Sequence, residues 1–316
     1  EEIQTAINAA AKLNGRRPIV HLPMGVYNLA KTLVIPARSD VQLIGDSAGE
    51  TGTRLNWTGP EDGLILRLEG PSHATLRDFF LNAGRARALL VDNADQRDGR
   101  IFADQLNANG PNGKTTGRTT AVRVNGLEHT DVLLRAQQGS GNAGAWIEVL
   151  GGTNLVPANQ ISLFTGATGS AAGQYDVRRN GRLVVRGVYH ERSSDSLNGL
   201  RLTDSGILSI DATRFSYATS PTAPTVATDS FRGIFTLATC MLLPVETKAS
   251  CRFELRGDGG KTSVLALNNQ VWIHQPTTSE DVWQNKARPP AHGGLVGWNI
   301  NTSDKTAAPK GFAFLD

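Results

Sequence analysis

The first hydrophobic pattern along the chain has a helical period. Ile3, Ile7 and Ala10 recur along one face, with Ala6 and Leu13 beside them, and Gly15 follows in the position that ends a helix. Beyond Gly15 the period changes. Apolar residues fall in short runs separated by Gly, Asn, Asp, Ser and Pro, which predicts strands and turns. The runs include Pro18–Leu22, Thr32–Ile35, Val41–Ile44, Leu64–Leu68, Thr120–Val124, Thr130–Ala136, Ala145–Val149, Leu183–Tyr189, Ile207–Ile210, Phe231–Thr236, Arg252–Leu255 and Ser263–Ile273. So many short strands with almost no helix predict an all-β chain, for which sandwich, propeller and solenoid are the alternatives.

Recurrence separates these alternatives. Thr75–Asn82, Arg100–Asn107 and Thr130–Gln137 resemble one another, each an apolar strand ending in a polar amide. The first two align at Leu-Asn-Ala, Leu81 to Ala83 and Leu106 to Ala108. A spacing of roughly 25 to 30 residues suits a solenoid, and no Trp-Asp blade signature recurs. Amides stacked at one corner of successive turns would form an asparagine ladder. Strand alternation then assigns faces. Val122 and Val124, Val132 and Leu134, Ile147 and Val149, and Phe253 and Leu255 point inward. Arg123, Arg135, Trp146, Glu148, Arg252, Glu254 and Arg256 point outward, so the outer surface mixes arginines with carboxylates.

The N-terminal stretch carries a more specific pattern. A helix over Ile3–Ala11 is followed by Val20-His21-Leu22-Pro23-Met24-Gly25-Val26-Tyr27, then Thr32–Pro36, Val41–Gly45 and Thr53–Trp57. With its Leu-Pro-x-Gly-x-Tyr element, this stretch resembles the first coil of the pectate-lyase-like superfamily of right-handed parallel β-helix proteins. The resemblance covers roughly a sixth of the chain. It implies a right-handed parallel β-helix, a solenoid whose N-terminal capping helix plugs the open end and covers strand edges. Residues 1–316 read as one such domain, with residues 1–15 as the cap and about 276–316 as a less regular C-terminal region. The uncapped apolar run at Phe312–Leu315 reads as part of a longer polypeptide. The family's polygalacturonate hydrolases carry Asn-Thr-Asp, Asp-Asp, Gly-His-Gly and Arg-Ile-Lys motifs. None occurs here, so no catalytic residue transfers by motif.

Charge narrows the partners. Lys+Arg number 32 and Asp+Glu 29, a formal net charge of +3 without a clustered basic run. That balance argues against sequence-independent nucleic-acid binding. No apolar stretch is long enough for a membrane-spanning helix. The six histidines lack metal-ligand spacing. No cofactor is required by any motif, and Ca2+ held by loop oxygens stays compatible with the sequence because such sites leave no spacing signature. The two cysteines, Cys240 and Cys251, fit either a disulfide between neighbouring coils or two stacked core thiols. The Gly-rich stretches Gly139–Gly144, Gly166–Gly173 and Gly257–Gly260 read as long turns.

Candidate chemistry concentrates in Arg182–Asp195. If Leu183, Val185 and Gly187 face inward, Arg186, His190 and Arg192 face outward, Tyr189 follows the inward set and Glu191 falls past the strand end. Cations that neutralise a uronate carboxylate, with a His or Tyr base beside it, are what β-elimination needs. Tyr189, His190, Glu191 and Arg192 are therefore the catalytic candidates, with Arg123, Arg135, Trp146, Glu148 and Arg186 as substrate-binding candidates. An ordinary solvated face is the competing reading. A second group comprises the carboxylates Asp78, Asp92, Asp104, Asp131 and Glu148. On adjacent coils, about 4.8 Å apart, two of them would approach the separation of about 5–5.5 Å used by retaining glycosidases.

These features predict a secreted or periplasmic carbohydrate-active enzyme that cleaves a polysaccharide, more acidic than neutral, by β-elimination or hydrolysis. The alternative is a non-catalytic carbohydrate-binding or structural β-helix, such as an adhesin or tail-spike-like module. An exposed solenoid flank is also compatible with an oligomer.

Overall fold

A computed structural model describes residues 1–92, 99–109, 120–125, 131–135, 137–140, 145–151, 160–163, 166–170, 173–192, 200–217, 226–244, 253–256, 263–271, 283–285, 294–297, 300–301 and 313–315. One helix, Glu2–Ala11, precedes a succession of short strands. The strands pair in parallel with the strand one coil further on, which makes the chain a parallel β-helix with three faces. The first face begins with Ile19–Leu22, the second with Gly25–Leu29 and the third with Leu33–Ile35. Along the first face, Ile19, Gln42, Thr75, Phe102, Leu133, Ser162, Val184, Ser209 and Thr236 are successive ladder partners. Coil length varies from 22 residues, Ser162 to Val184, to 33 residues, Gln42 to Thr75. The final pairing, Gly294–Gly297 with Ala313–Leu315, is antiparallel.

Alternation builds the interior. Val20, Leu43, Leu76, Ala103, Leu134, Val185, Ile210, Leu237 and Ala266 form one buried row of the first face. Burying each larger aliphatic side chain contributes about 1.5–3 kcal/mol, which adds to the backbone ladders that join the coils along the axis. The predicted inward residues Val122, Val124, Val132, Leu134, Ile147, Val149, Leu183 and Val185 are all buried. Phe253 and Leu255 lie on a strand whose side chains are outside the described residues, as are Arg252 and Cys251 altogether. Cys240 is a buried free thiol, and burial pushes it up to about 12.

The helix closes the N-terminal end with Ile7 and Ala10, both buried. Ala6 and Leu13 are exposed, so the buried face is narrower than the periodicity indicates. The helix stops at Ala11, and Gly15 (φ +83°) instead turns the chain toward the first strand.

On the second face, Asn28, Asn56, Asn82 and Asn109 are consecutive ladder partners. The Asn82 amide donates to Asn56 Oδ1 at 3.1 Å. This is an asparagine ladder, with one register correction. Asn82 pairs with Asn109, not Asn107, because Phe80 pairs with Asn107. A slip of two residues preserves the face, so both alignments satisfy the hydrophobic pattern.

Two of the Gly-rich stretches also differ from expectation. Gln137–Ser140 and Gly166–Ser170 are strands, and they pair with each other; Gly166–Ser170 then pairs with Val188–Arg192. A ladder uses backbone groups alone, so low side-chain content does not prevent pairing between two stable neighbours.

Candidate functional site

The predicted catalytic run is divided by a corner. Gly187 has φ +65° and is exposed, ending Gly181–Arg186 on the first face before Val188–Arg192 begins on the second. The left-handed turn resets the alternation. Val188 and His190 point inward, whereas Tyr189 is half-buried beneath the Arg214 guanidinium, 5.4 Å from the ring centroid. His190 therefore does not face a polymer. It occupies the row that passes through Gly139, Thr168, His190 and Phe215. Glu191 and Arg192 continue the strand, and their side chains lie outside the described residues.

Inside the solenoid, His190 stacks on Phe215 with centroids 4.7 Å apart, and its Nε2 is 2.8 Å from the Tyr175 hydroxyl. Burial lowers the imidazole to about 3 and raises the Tyr175 phenol well above its ordinary value. Trp146 joins this cluster, 6.5 Å from Tyr175 and 6.4 Å from His190. Its predicted outward position is thus also corrected. The indole enters the interior at the start of Ala145–Leu150, where a large apolar ring gains more from burial than the alternation would allow it.

The remaining substrate-binding candidates form an ordered surface. On the third face, ladder partners run Arg67, Leu90, Arg123, Glu148, Asp176 and Arg201. Glu148 is an outward residue of the ladder but lies under its neighbours. It pairs with Arg123 at 2.7 Å and with Arg178, and accepts from Thr120 Oγ1 at 3.3 Å. Arg178 also reaches Asp176 at 3.2 Å, so one guanidinium spans two carboxylates on adjacent coils. Nearby, Arg67 holds Asp92 at 2.6 Å, and Asn125 donates to the other Asp92 oxygen at 3.1 Å. Burial depresses Arg87, helped by the Arg123 charge and opposed by Glu148. The first face repeats the theme. Arg135 pairs with Asp104 at 3.1 Å, Arg186 with Asp211 at 3.2 Å and Arg77 with Asp78 at 2.8 Å.

Layering decides what solvent meets. The Arg123 side chain is 31% exposed against 4% for Glu148, Arg135 is 55% against 9% for Asp104, and Arg186 is 62% against 35% for Asp211. In these pairs the carboxylates form the inner layer and the guanidinium groups the outer one. A surface neutral by composition therefore presents cationic edges, whose planar forks suit carboxylates and other oxyanions. Asp176 and Arg178 belong to this site and were not singled out from the sequence. Their signal is register: each lies one coil beyond Glu148 and Leu150. No group of three or more His, Cys, Asp or Glu that could hold a metal occurs among the described residues.

The fold and this layered surface define the class, a parallel β-helix with two arginine-edged faces. No protein-family model matches the chain, and no curated protein matches it. Among solved structures it is similar to ORF18 of Geobacillus virus E2, at 10% identity and TM-score 0.46, over 96% of this chain and 58% of that one. It is also similar to the catalytic unit of a thermostable GH87 alpha-1,3-glucanase from Streptomyces thermodiastaticus strain HF3-3. There the identity is 11% and the TM-score 0.38, over 97% of this chain and 67% of that one. The chain thus spans little more than half the length of the phage protein.

Proposed function

We propose that the protein binds an acidic polysaccharide along its first and third faces. The observation that carries this reading is the layering of arginines outside the carboxylates that neutralise them. A polyuronate laid across these faces exchanges water for guanidinium edges without requiring the ion pairs beneath to break. Each inner carboxylate keeps the arginines oriented, so little side-chain entropy is lost on binding. The predicted lyase centre receives no support from His190, which is sealed in the core. The reading is of a protein that meets its polymer outside the cytoplasm, secreted or periplasmic.

One observation favours cleavage as a second reading. Glu148 and Asp176 are ladder partners on adjacent coils, about 4.8 Å apart along the backbone and near the retaining-glycosidase separation. Against it, Glu148 is occupied by Arg123, Arg178 and Thr120. The test is binding of polygalacturonate, a neutral glucan and single-stranded DNA at rising salt, with unsaturated product and reducing ends followed together. The binding reading expects salt-sensitive retention of the polyuronate alone. Equal retention of DNA or of the glucan would overturn it. Product formation lost in Glu148→Gln and Asp176→Asn would establish cleavage.

A further inference from the structure

The corner leading from the third face to the first holds a cavity of about 440 Å3, walled on one side by Thr75, Phe102 and Leu133 of the first face. Its titratable residues share a position in the coil. Ile19, Gln42, Thr75 and Phe102 are successive ladder partners, and Arg17, Asp40, His73 and Arg100 each stand two residues before one of them. Backbone bonds continue the ladder into this corner: His73 N–H donates to Ser39 O at 2.9 Å, and Arg100 N–H to Ser72 O at 2.8 Å. Four titratable side chains are thereby stacked at one corner of four consecutive coils, with strand spacings of about 4.8 Å.

The corner is built to hold this arrangement. Arg17 has φ +48°, an unfavourable backbone for a non-glycine residue. Two bonds fix it there: its N–H donates to Asp40 Oδ2 at 2.9 Å, and its carbonyl accepts from Gln42 Nε2 at 2.6 Å. The Arg17 Nη2 donates to Thr75 Oγ1 at 3.3 Å, within the cavity wall. Asp40 is 7% exposed. Its Oδ2 also accepts from Gly15 N–H, and its Oδ1 has no hydrogen-bond partner among the described residues. Burying a carboxylate oxygen without a donor is costly, and the two backbone donors on Oδ2 offset that cost in part. Unlike Arg123, Arg135 and Arg186, Arg17 has no carboxylate on its guanidinium among the described residues. Half-buried Phe102 adds an aromatic wall.

We propose that this corner cavity binds a single hydroxylated carboxylate of the sugar-acid class. Arg17 and Arg100 receive the carboxylate, His73 takes a hydroxyl group, Asp40 holds the Arg17 backbone in place from beneath, and Phe102 covers the apolar face of the ring. The volume lies in the range of small-ligand sites. The inference adds a monosaccharide subsite to the polymer-binding reading but does not depend on it.

The experiment titrates methyl glucuronoside, methyl glucoside and inorganic phosphate into the protein by calorimetry, with polygalacturonate binding measured in parallel. The glucuronoside is expected to bind at least tenfold more tightly than the neutral glucoside and than phosphate. Arg17→Gln, at an exposed side chain, is expected to weaken the glucuronoside at least tenfold, and Phe102→Leu by a smaller factor. Arg123→Gln with Arg135→Gln is expected to weaken the polymer and leave the glucuronoside unchanged. No glucuronoside binding, equal binding of the glucoside or of phosphate, or indifference to Arg17→Gln would each overturn the proposal. Any of these results with polymer binding intact would leave the two-face reading standing.

Discussion

Gln4 completes the edge of Val34 as a further strand would. Its side-chain amide donates to Val34 O at 2.9 Å, and its Oε1 accepts from Val34 N–H at 2.7 Å. Val34 lies on the first strand of the third face, whose other side pairs with Leu64–Glu69. The helix thus covers the solenoid end with apolar residues and also satisfies one residue of the open ladder. Gln4→Ala should cost about 1–2 kcal/mol in urea unfolding, roughly two net hydrogen bonds. It should also speed amide exchange at Val34. An unchanged exchange rate would show that water replaces the side chain without loss.

His190 gives the fold an acid sensitivity with a defined sign. Its folded value is about 3, whereas an unfolded histidine titrates near 6.5. Stability is therefore fully present above pH 6.5 and falls as the pH drops toward 3, because only the unfolded chain takes up the proton. The slope is about 1.4 kcal/mol per pH unit for this one group. Urea midpoints measured between pH 7 and pH 4 should show that loss, and His190→Phe should flatten it. A variant with the wild-type slope would place the acid sensitivity elsewhere.

Glu148 holds two cationic neighbours, Arg123 and Arg178, in order. Glu148→Ala takes the shared buried partner from Arg123 and Arg178, which are partly exposed, and Arg178 keeps Asp176, so it should cost about 1–3 kcal/mol. Glu148→Gln keeps the shape and should cost less. Denaturant unfolding of both variants checks the order. An equal, small loss in both would mean that solvent screens the network completely.

How far these features are legible in the sequence depends on distance from a corner. Within a strand, alternation is reliable: Val122-Arg123-Val124 and Val132-Leu133-Leu134-Arg135 orient as their pattern predicts, because a mistake would bury a guanidinium. Corners break the count. The turn at Gly187 reverses the parity that placed His190 outside; the glycine permits the left-handed backbone, but it does not by itself mark a break between two strands. Size overrides parity at Trp146. The corner stack of Arg17, Asp40, His73 and Arg100 has unequal chain spacings because each coil has its own length. It becomes visible only once the ladder register is known. Cap, strands and amide ladder could be read locally, whereas the sites arise between coils.

The asparagine ladder offers a finer test of register. Asn82→Ala removes the donor to Asn56 and should cost about 1 kcal/mol. Asn107→Ala, at the position suggested by the Leu-Asn-Ala recurrence, should leave that stack undisturbed. Paired thermal unfolding of the two variants distinguishes the registers. A larger loss at Asn107 than at Asn82 would contradict the observed pairing.

Gly187 has a consequence for how this chain tolerates change in length. Its turn is a phase shifter between two binary codes, one read on Gly181–Arg186 and the other on Val188–Arg192. Adding one residue at that point would leave composition almost untouched yet exchange the rows of Tyr189 and His190. The imidazole would be delivered to water, and the phenol would be driven into the space beside Phe215. Loops that bulge from the coils can lengthen freely over evolutionary time, but this corner has a fixed count. Insertions here act as frameshifts in three dimensions.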